Sequence, residues 1–84
     1  MGLFKVELSR SAEKDLLALD KTVVSRIWPK VKGLSENPLP KGSLKLSGTD
    51  YTYRIRVGDY RIVYKVIGDN VSVIGIAHRK QAYR

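Results

Sequence analysis

Residues 51–65 read YTYRIRVGDYRIVYK and decide the predicted fold, because polar and apolar residues alternate on both sides of a Gly-Asp pair. This alternation is typical of two β-strands, each with one apolar face. Gly58 stands at the first loop position and favours a two-residue type II′ turn, which pairs Val57 with Tyr60. The hairpin then gathers four basic residues on one side, here termed the cationic face: Arg54, Arg56, Arg61 and Lys65.

Two of these cations, Arg56 and Arg61, are expected to lie directly opposite each other across the hairpin. Like charges in that position destabilise a sheet, and the hairpin sequence offers no carboxylate on the same face. A polyanion that binds there would explain the cluster. The alternative is a solvated sheet face without a ligand, since basic residues are mostly exposed in proteins.

The charge of the chain is strongly positive, with 16 Lys and Arg residues against eight Asp and Glu and a formal net charge of +8 over 84 residues. This length predicts one domain over residues 1–84. Clustered cations favour nucleic acid as a partner, then an anionic membrane, then an acidic protein. From residue 44 onward the basic residues are Lys45, Arg54, Arg56, Arg61, Lys65, Arg79, Lys80 and Arg84, and the acidic ones are Asp50, Asp59 and Asp69.

The compartment is predicted from what the sequence lacks. There is no cysteine, which excludes disulfides and cysteine-ligated zinc. No apolar run is long enough to span a bilayer, and the N-terminus does not show the apolar segment of a signal peptide. We therefore expect a soluble cytoplasmic protein that does not bind membranes.

The N-terminal part of the chain predicts a strand followed by a helix. Residues 3–8 alternate well enough for a strand, and Ser9 or Ser11 can cap the helix that follows. Glu13 and Asp15 are expected near the positive end of this helix, where carboxylates are favourable.

A second helix is predicted from an apolar stripe over residues 23–34, which places Trp28 in the core. Pro29 removes a helical hydrogen bond, so the helix either kinks there or begins near Ser25, and the unbroken stripe favours the kink. Residues 71–77 are apolar on both faces and predict an interior strand. The sequence thus predicts an α+β fold ordered β-α-α-β-β-β, with an antiparallel sheet and the helical hairpin packed on one face.

The face occupied by His78 depends on the length of the loop before the last strand. A two- or four-residue loop places it on the face of Arg61, whereas a three-residue loop places it opposite Tyr60 on the core side. The sequence leaves both arrangements open.

Most enzyme classes lack support in this sequence. Its acids belong to turns or helix surfaces and it has one histidine, so neither a metal site nor a Ser-His-Asp set is expected, and no cofactor motif is present. RNA cleavage remains, because RNA supplies its own 2′-hydroxyl nucleophile. The protein then needs to align the backbone, neutralise developing charge and move two protons.

Four motifs follow one another along the chain: Lys-Leu-x-Gly at 45–48, Tyr-Arg-Ile-Arg at 53–56, Gly-Asp-Tyr-Arg-Ile-Val-Tyr at 58–64 and His-Arg-Lys-x-x-Tyr at 78–83. In this order they resemble the RelE toxins of the RelE/ParE toxin-antitoxin superfamily over essentially the whole chain. The resemblance implies a metal-independent endoribonuclease that cuts messenger RNA in the ribosomal A site and inhibits translation. It also implies an acidic, partly disordered RelB-like antitoxin as the inhibitory partner.

Motif matching implies roles for three catalytic residues. Arg61 would stabilise the scissile phosphate, Arg79 would add charge or assist the leaving group, and Tyr83 would stack on the bases or position them. The general base stays open between His78, Lys80, Tyr83 and a ribosomal group.

The remaining basic residues are expected to bind RNA. Arg54 and Arg56 stand where RelE relatives carry basic residues, often lysine. Because an arginine almost never loses its proton, phosphate binding is the role that suits them. The predicted RNA-binding residues are Lys45, Arg54, Arg56, Lys65, His78 and Lys80.

Two other functions remain open. A ParE-like inhibitor of DNA gyrase shares the fold but acts as a binding protein, and the arginine-rich hairpin with its Tyr83-containing tail disfavours that function. A non-catalytic nucleic-acid-binding module would lose affinity steeply with salt and leave RNA lengths unchanged.

Overall fold

The computed structural model describes residues 3–78, which form two helices and a five-stranded sheet. The α+β prediction is confirmed, and a two-residue strand adds to the predicted order. Neither helix in this described range is long and apolar enough to cross a membrane. The elements are β1 (Lys5–Leu8), α1 (Arg10–Leu17), α2 (Lys21–Gly33), β2 (Leu44–Lys45), β3 (Thr52–Val57), β4 (Tyr60–Ile67) and β5 (Asn70–His78).

The sheet has the strand order β1-β5-β4-β3-β2. Three neighbouring pairs are antiparallel, as predicted, but β1 runs parallel to β5. The sheet is therefore mixed. A parallel pair needs a long crossover between its strands, and here the two helices and the three intervening strands supply it.

The central hairpin of β3 and β4 has the predicted register. Val57 lies opposite Tyr60, and Arg56 lies opposite Arg61. Gly58 has φ +60, and among the described residues positive φ occurs only at glycines. A positive φ at the first loop position alone is the signature of a type II′ turn, so the predicted turn is confirmed.

A β-bulge interrupts the pairing of β4 with β5. Tyr64 lies opposite Val73, but Val63 lies opposite Gly75, so Ile74 is an extra residue in β5. An extra residue shifts the register of everything beyond it by one position. This shift explains how Ile76 returns to the core side after Val73.

The bulge also settles the position of His78. The loop before β5 has two residues, because Ile67 pairs with Asn70, and loop length alone would place His78 on the face of Arg61. The bulge reverses that outcome and places His78 opposite Tyr60. The loop-length rule failed because it assumed an uninterrupted ladder.

Both helices pack on one face of the sheet, as predicted. Their buried residues contact the apolar side chains of β3, β4 and β5. Tyr64 is fully buried, stacks on Tyr53 with ring centroids 6.0 Å apart, and donates a hydrogen bond to the carbonyl oxygen of Pro38 at 2.8 Å. The core consists of Ala12, Ile27, Val31, Leu34, Ile55, Ile62, Tyr64, Val71, Val73 and Ile76.

Trp28 is not a core residue, contrary to the prediction. Its side chain is 41% exposed, whereas the adjacent Ile27 is fully buried. Neighbouring residues of a helix differ by about 100° in direction, so only one of the two can point at the sheet. The stripe used for the prediction was wide enough to include both.

The helix ends agree with expectation except at Asp15. α2 runs without interruption from Lys21 to Gly33 through Pro29, so a start near Ser25 is wrong. Ser9 is the N-cap of α1, and Glu13 lies in its first turn. Asp15, however, lies in the last turn rather than near the positive end, and its carboxylate has a different partner, described below.

Candidate nucleic-acid interface

The cationic face lies on the side of the sheet away from the helices. Ile55 and Ile62 pair across the hairpin and belong to the helix-side core. Because side chains alternate along a strand, the neighbouring Arg54, Arg56 and Arg61 point to the opposite side. The structure therefore brings these arginines together on one surface, with Lys65 further along the same side of β4.

Arg56 and Arg61 form the closest cationic pair that the register allows. In a two-residue hairpin the pair flanking the turn, Val57 and Tyr60, exchanges backbone hydrogen bonds, so the next pair outward does not. Pairs of that kind have Cα atoms only about 4.5 Å apart. The Cα atoms of the two arginines are therefore neighbours across the strands. Their side chains differ in access to solvent, because Arg56 is exposed and Arg61 is half-buried.

Arg61 has an unsatisfied donor. Its Nε atom is buried and meets no hydrogen-bond acceptor within the part of the chain that the structure describes. A buried donor without an acceptor costs about 1–3 kcal/mol in a folded protein. On its β5 side Arg61 lies opposite Ala77, which is buried.

Strand β1 adds a carboxylate to the side of the sheet that carries the cationic face. Glu7 shares the side of the cationic face, because it pairs with Ser72, which in turn pairs with Lys65. The hairpin alone could not reveal this carboxylate. It lies two strands from Lys65 and at the opposite end of β4 from Arg61, so it does not neutralise Arg56 or Arg61.

Two predicted RNA-binding residues do not share this surface. Lys45 lies opposite Tyr53 on the edge strand β2, which directs it to the helix side of the sheet. His78 lies opposite Tyr60, and their rings meet edge to face with centroids 5.1 Å apart. The structure groups Arg54, Arg56, Arg61 and Lys65 but separates Lys45 and His78 from them.

The remaining predicted site residues, Arg79, Lys80 and Tyr83, lie outside the described residues. Within residues 3–78 no three His, Cys, Asp or Glu side chains come close enough to bind a metal ion. The arginines of the cationic face carry a fixed positive charge, because an arginine side chain keeps its proton at physiological pH. It is suited to binding phosphates and to stabilising added negative charge on them.

A second surface, on the helix side, escaped the sequence analysis. Trp28 separates two apolar clefts and lines both. One cleft includes Leu16 and Leu17, and Leu17 is 86% exposed. The other includes Val6, Leu8 and Val31. We call this surface the Trp28 surface.

Comparison with known proteins agrees with the fold and with the hairpin motifs. The family described as ParE toxin of type II toxin-antitoxin system, parDE, matches residues 6–83. Toxin RelE3 of Methanocaldococcus jannaschii is 34% identical over 87 residues, which cover 94% of each protein.

Solved structures of RelE proteins superpose closely on this chain. RelE in the archaeal RelE-RelB complex from Pyrococcus horikoshii OT3 gives a TM-score of 0.81 at 28% identity, covering 95% of this chain and 99% of that one. The isolated Escherichia coli RelE toxin gives a TM-score of 0.81 at 26% identity, covering 94% of this chain and 87% of that one. This chain therefore belongs to the RelE/ParE superfamily of type II toxin-antitoxin toxins, as a RelE-type member.

Proposed function

We propose that this RelE-type toxin is a ribosome-dependent endoribonuclease of the cytoplasm that cuts messenger RNA in the A site. The observation that carries the proposal is the directly opposed pair of Arg56 and Arg61. Opposed cations destabilise the hairpin on which they lie, and an RNA backbone bound between them would relieve that repulsion.

The proposed reaction begins with attack of a ribose 2′-hydroxyl on the adjacent phosphate. The attacking oxygen forms a bond to phosphorus, the bond to the 5′-oxygen of the next nucleotide breaks, and a cyclic phosphate remains. Arg61 would neutralise the additional negative charge on the pentacoordinate phosphorus, and Arg56 would orient the phosphate. A half-buried guanidinium is well suited to this role, because charge interactions strengthen where water is partly excluded.

Proton transfer needs groups other than the arginines. The attacking hydroxyl loses a proton and the leaving oxygen gains one. We assign these steps to the C-terminal motif, with Arg79 assisting the leaving group and Tyr83 positioning the bases. His78, Lys80, Tyr83 or a ribosomal group would act as the base. Arg54, Lys65 and, more remotely, Lys45 would contribute phosphate contacts.

The proposed partner is an antitoxin, as for the RelE of Pyrococcus horikoshii OT3, whose structure contains RelB. The Trp28 surface supports this, because it combines apolar clefts with the strongly basic helix α2. That helix carries four basic residues and no acidic one: Lys21, Arg26, Lys30 and Lys32. An amphipathic antitoxin segment with acidic flanks would match both properties.

The decisive experiment is a cleavage assay with ribosomes that are stalled on a defined message, followed by primer extension. Cleavage inside the A-site codon that requires both the toxin and the ribosome supports the proposal. Arg61→Ala should lower cleavage about 10²–10³-fold. Lys14→Ala, which removes an exposed lysine of helix α1 that has no proposed role in RNA binding, is the matched control. An intact message with folded wild-type toxin contradicts the proposal.

A second candidate is inhibition of DNA gyrase, which the match to the ParE toxin family favours. A supercoiling assay with purified gyrase separates the two functions. Loss of supercoiling together with an intact message would support the gyrase function.

A further inference from the structure

The second half of β5 has a neighbouring strand on one side only. β1 pairs with β5 only from Lys5 opposite Asn70 to Leu8 opposite Val73. Within residues 3–78, the stretch of β5 that follows has β4 on one side and no strand on the other. This stretch contains Ala77, which lies directly beside Arg61.

Ser9, the residue after β1, makes the first contacts along this uncovered edge. Its N–H donates to the carbonyl oxygen of Val73 at 2.8 Å, and its hydroxyl donates to the carbonyl oxygen of Ile74 at 3.3 Å. Two consecutive carbonyl groups can face the same neighbour only where a bulge breaks the alternation of the strand. The same hydroxyl accepts the N–H of Ala12 at 3.0 Å and caps α1. Ser9 therefore joins the start of α1 to the bulge.

Asp15 makes the next contact along the same edge. Its Oδ2 atom accepts the N–H of Ile76 at 2.9 Å. Ile76 is only 5% exposed, so its N–H needs an acceptor within the protein. In the ladder, Ile62 and Ile76 form a pair without mutual hydrogen bonds, which directs this N–H away from β4 and towards α1.

The position of Asp15 in its own helix argues for a role in this contact. A carboxylate in the last turn of a helix faces the negative end of the helix dipole, which disfavours it. The hydrogen bond to Ile76 gives a tertiary reason for an acid there. Together, Ser9 and Asp15 replace the missing β1 partner along the edge of β5.

We propose that Ser9 and Asp15 are positioning residues for RNA cleavage. They fix the bulge and the end of β5, and thereby the backbone of Ala77 that pairs with Arg61. The proposal rests on the proposed function. It predicts that loss of the Asp15 acceptor lowers the cleavage rate on ribosomes about 10–100-fold, since small misplacements of catalytic groups have effects of that size. The ribosome concentration at half-maximal rate should stay unchanged.

The test compares Asp15→Ala, Asp15→Asn and Glu13→Ala. The Asn variant keeps a side-chain oxygen that can accept the Ile76 N–H, so it should restore cleavage, and Glu13→Ala on the same helix should match the wild type. Amide hydrogen exchange, measured by NMR without ribosomes, should show faster exchange at Ile76 and Ala77 in Asp15→Ala alone.

A second variant guards against failure of Asp15→Ala to fold. In Ser9→Asp the carboxylate can still cap α1 but cannot donate to Ile74, so slower cleavage is expected with α1 intact. Fast amide exchange with unchanged cleavage in either variant overturns the positioning role and leaves the proposed function standing. If Asp15→Asn cleaves as slowly as Asp15→Ala, the hydrogen bond that position 15 accepts from the Ile76 N–H does not determine the cleavage rate. If wild-type toxin does not cleave, the proposed function fails first and the positioning role fails with it.

Discussion

Reversing the charge of Arg56 should stabilise the fold while weakening RNA binding. Arg56 and Arg61 lie directly opposite each other in a pair without mutual hydrogen bonds, where cross-strand interactions contribute about 0.2–1 kcal/mol. Arg56 is exposed, so solvent screens part of its charge. Removing the repulsion in Arg56→Gln should add about 0.5 kcal/mol to the free energy of unfolding, and the attraction in Arg56→Glu should raise the gain to about 1 kcal/mol.

Thermal unfolding at low salt is the assay. In a domain of this size 1 kcal/mol corresponds to about 4–8 °C in Tm, so Arg56→Glu should unfold about 4 °C above the wild type or higher. The gain should shrink at about 1 M salt, where charges are screened within about 3 Å. Lys45→Glu is the control, because it makes the same charge change opposite Tyr53 on the other side of the sheet.

The control removes the general effect of lowering a net charge of +8. An equal gain in Lys45→Glu would show that net charge, and not the opposed pair, destabilises the hairpin. If Arg56→Glu shows no gain at low salt, the cross-strand repulsion does not exist. The structural argument for a bound polyanion would then lose its basis.

Three further predictions concern catalysis, the partner surface and alkaline stability. Arg61→Ala should lower ribosome-dependent cleavage about 10²–10³-fold, as removal of one charge-stabilising donor does in other enzymes; a variant within threefold of wild type in primer extension would contradict the role of Arg61. The double variant Leu17→Ser with Trp28→Ala should weaken antitoxin binding at least about tenfold in calorimetry, because both side chains are accessible to a partner. Circular dichroism checks that the variant is folded, and unchanged affinity would show that the antitoxin binds elsewhere. Burial raises the pKa of the Tyr64 hydroxyl above 10.0. As the pH rises above about 10, the unfolded chain loses this proton before the folded protein does, so the free energy of unfolding falls. Tyr64→Phe should reduce that fall in urea unfolding between about pH 9 and about pH 11, and an equal dependence of the free energy of unfolding on pH in variant and wild type would contradict this.

The hairpin register could be predicted because its determinants are local. The alternation over residues 51–65 and the Gly58-Asp59 loop fix which residues face each other, and the structure has the expected pairs. The grouping of Arg54, Arg56, Arg61 and Lys65 follows from that register alone. This part of the candidate site was therefore predictable in detail.

Two of the failures share a different property, because they depend on contacts between distant parts of the chain. The position of His78 depends on the bulge at Ile74, which Ser9 contacts from the other end of the sequence, and Asp15 contacts Ile76 just beyond it. The parallel pairing of β1 with β5 has no local signal either. Trp28 was misplaced for another reason, since a broad apolar stripe does not say which of two neighbouring helical residues faces the sheet.

The pairing of the first strand with the last one has a consequence for how the protein is made. Ser9 contacts Ile74 across 65 positions in the sequence, and Asp15 contacts Ile76 across 61. Contacts with such separation form late and slow the folding of small domains. During synthesis the sheet cannot close until β5 has been made, because β5 lies between β1 and β4. The strand beside Arg61 is thus the last element of the described range to be made, and a chain that stops before it cannot complete the sheet around Arg61.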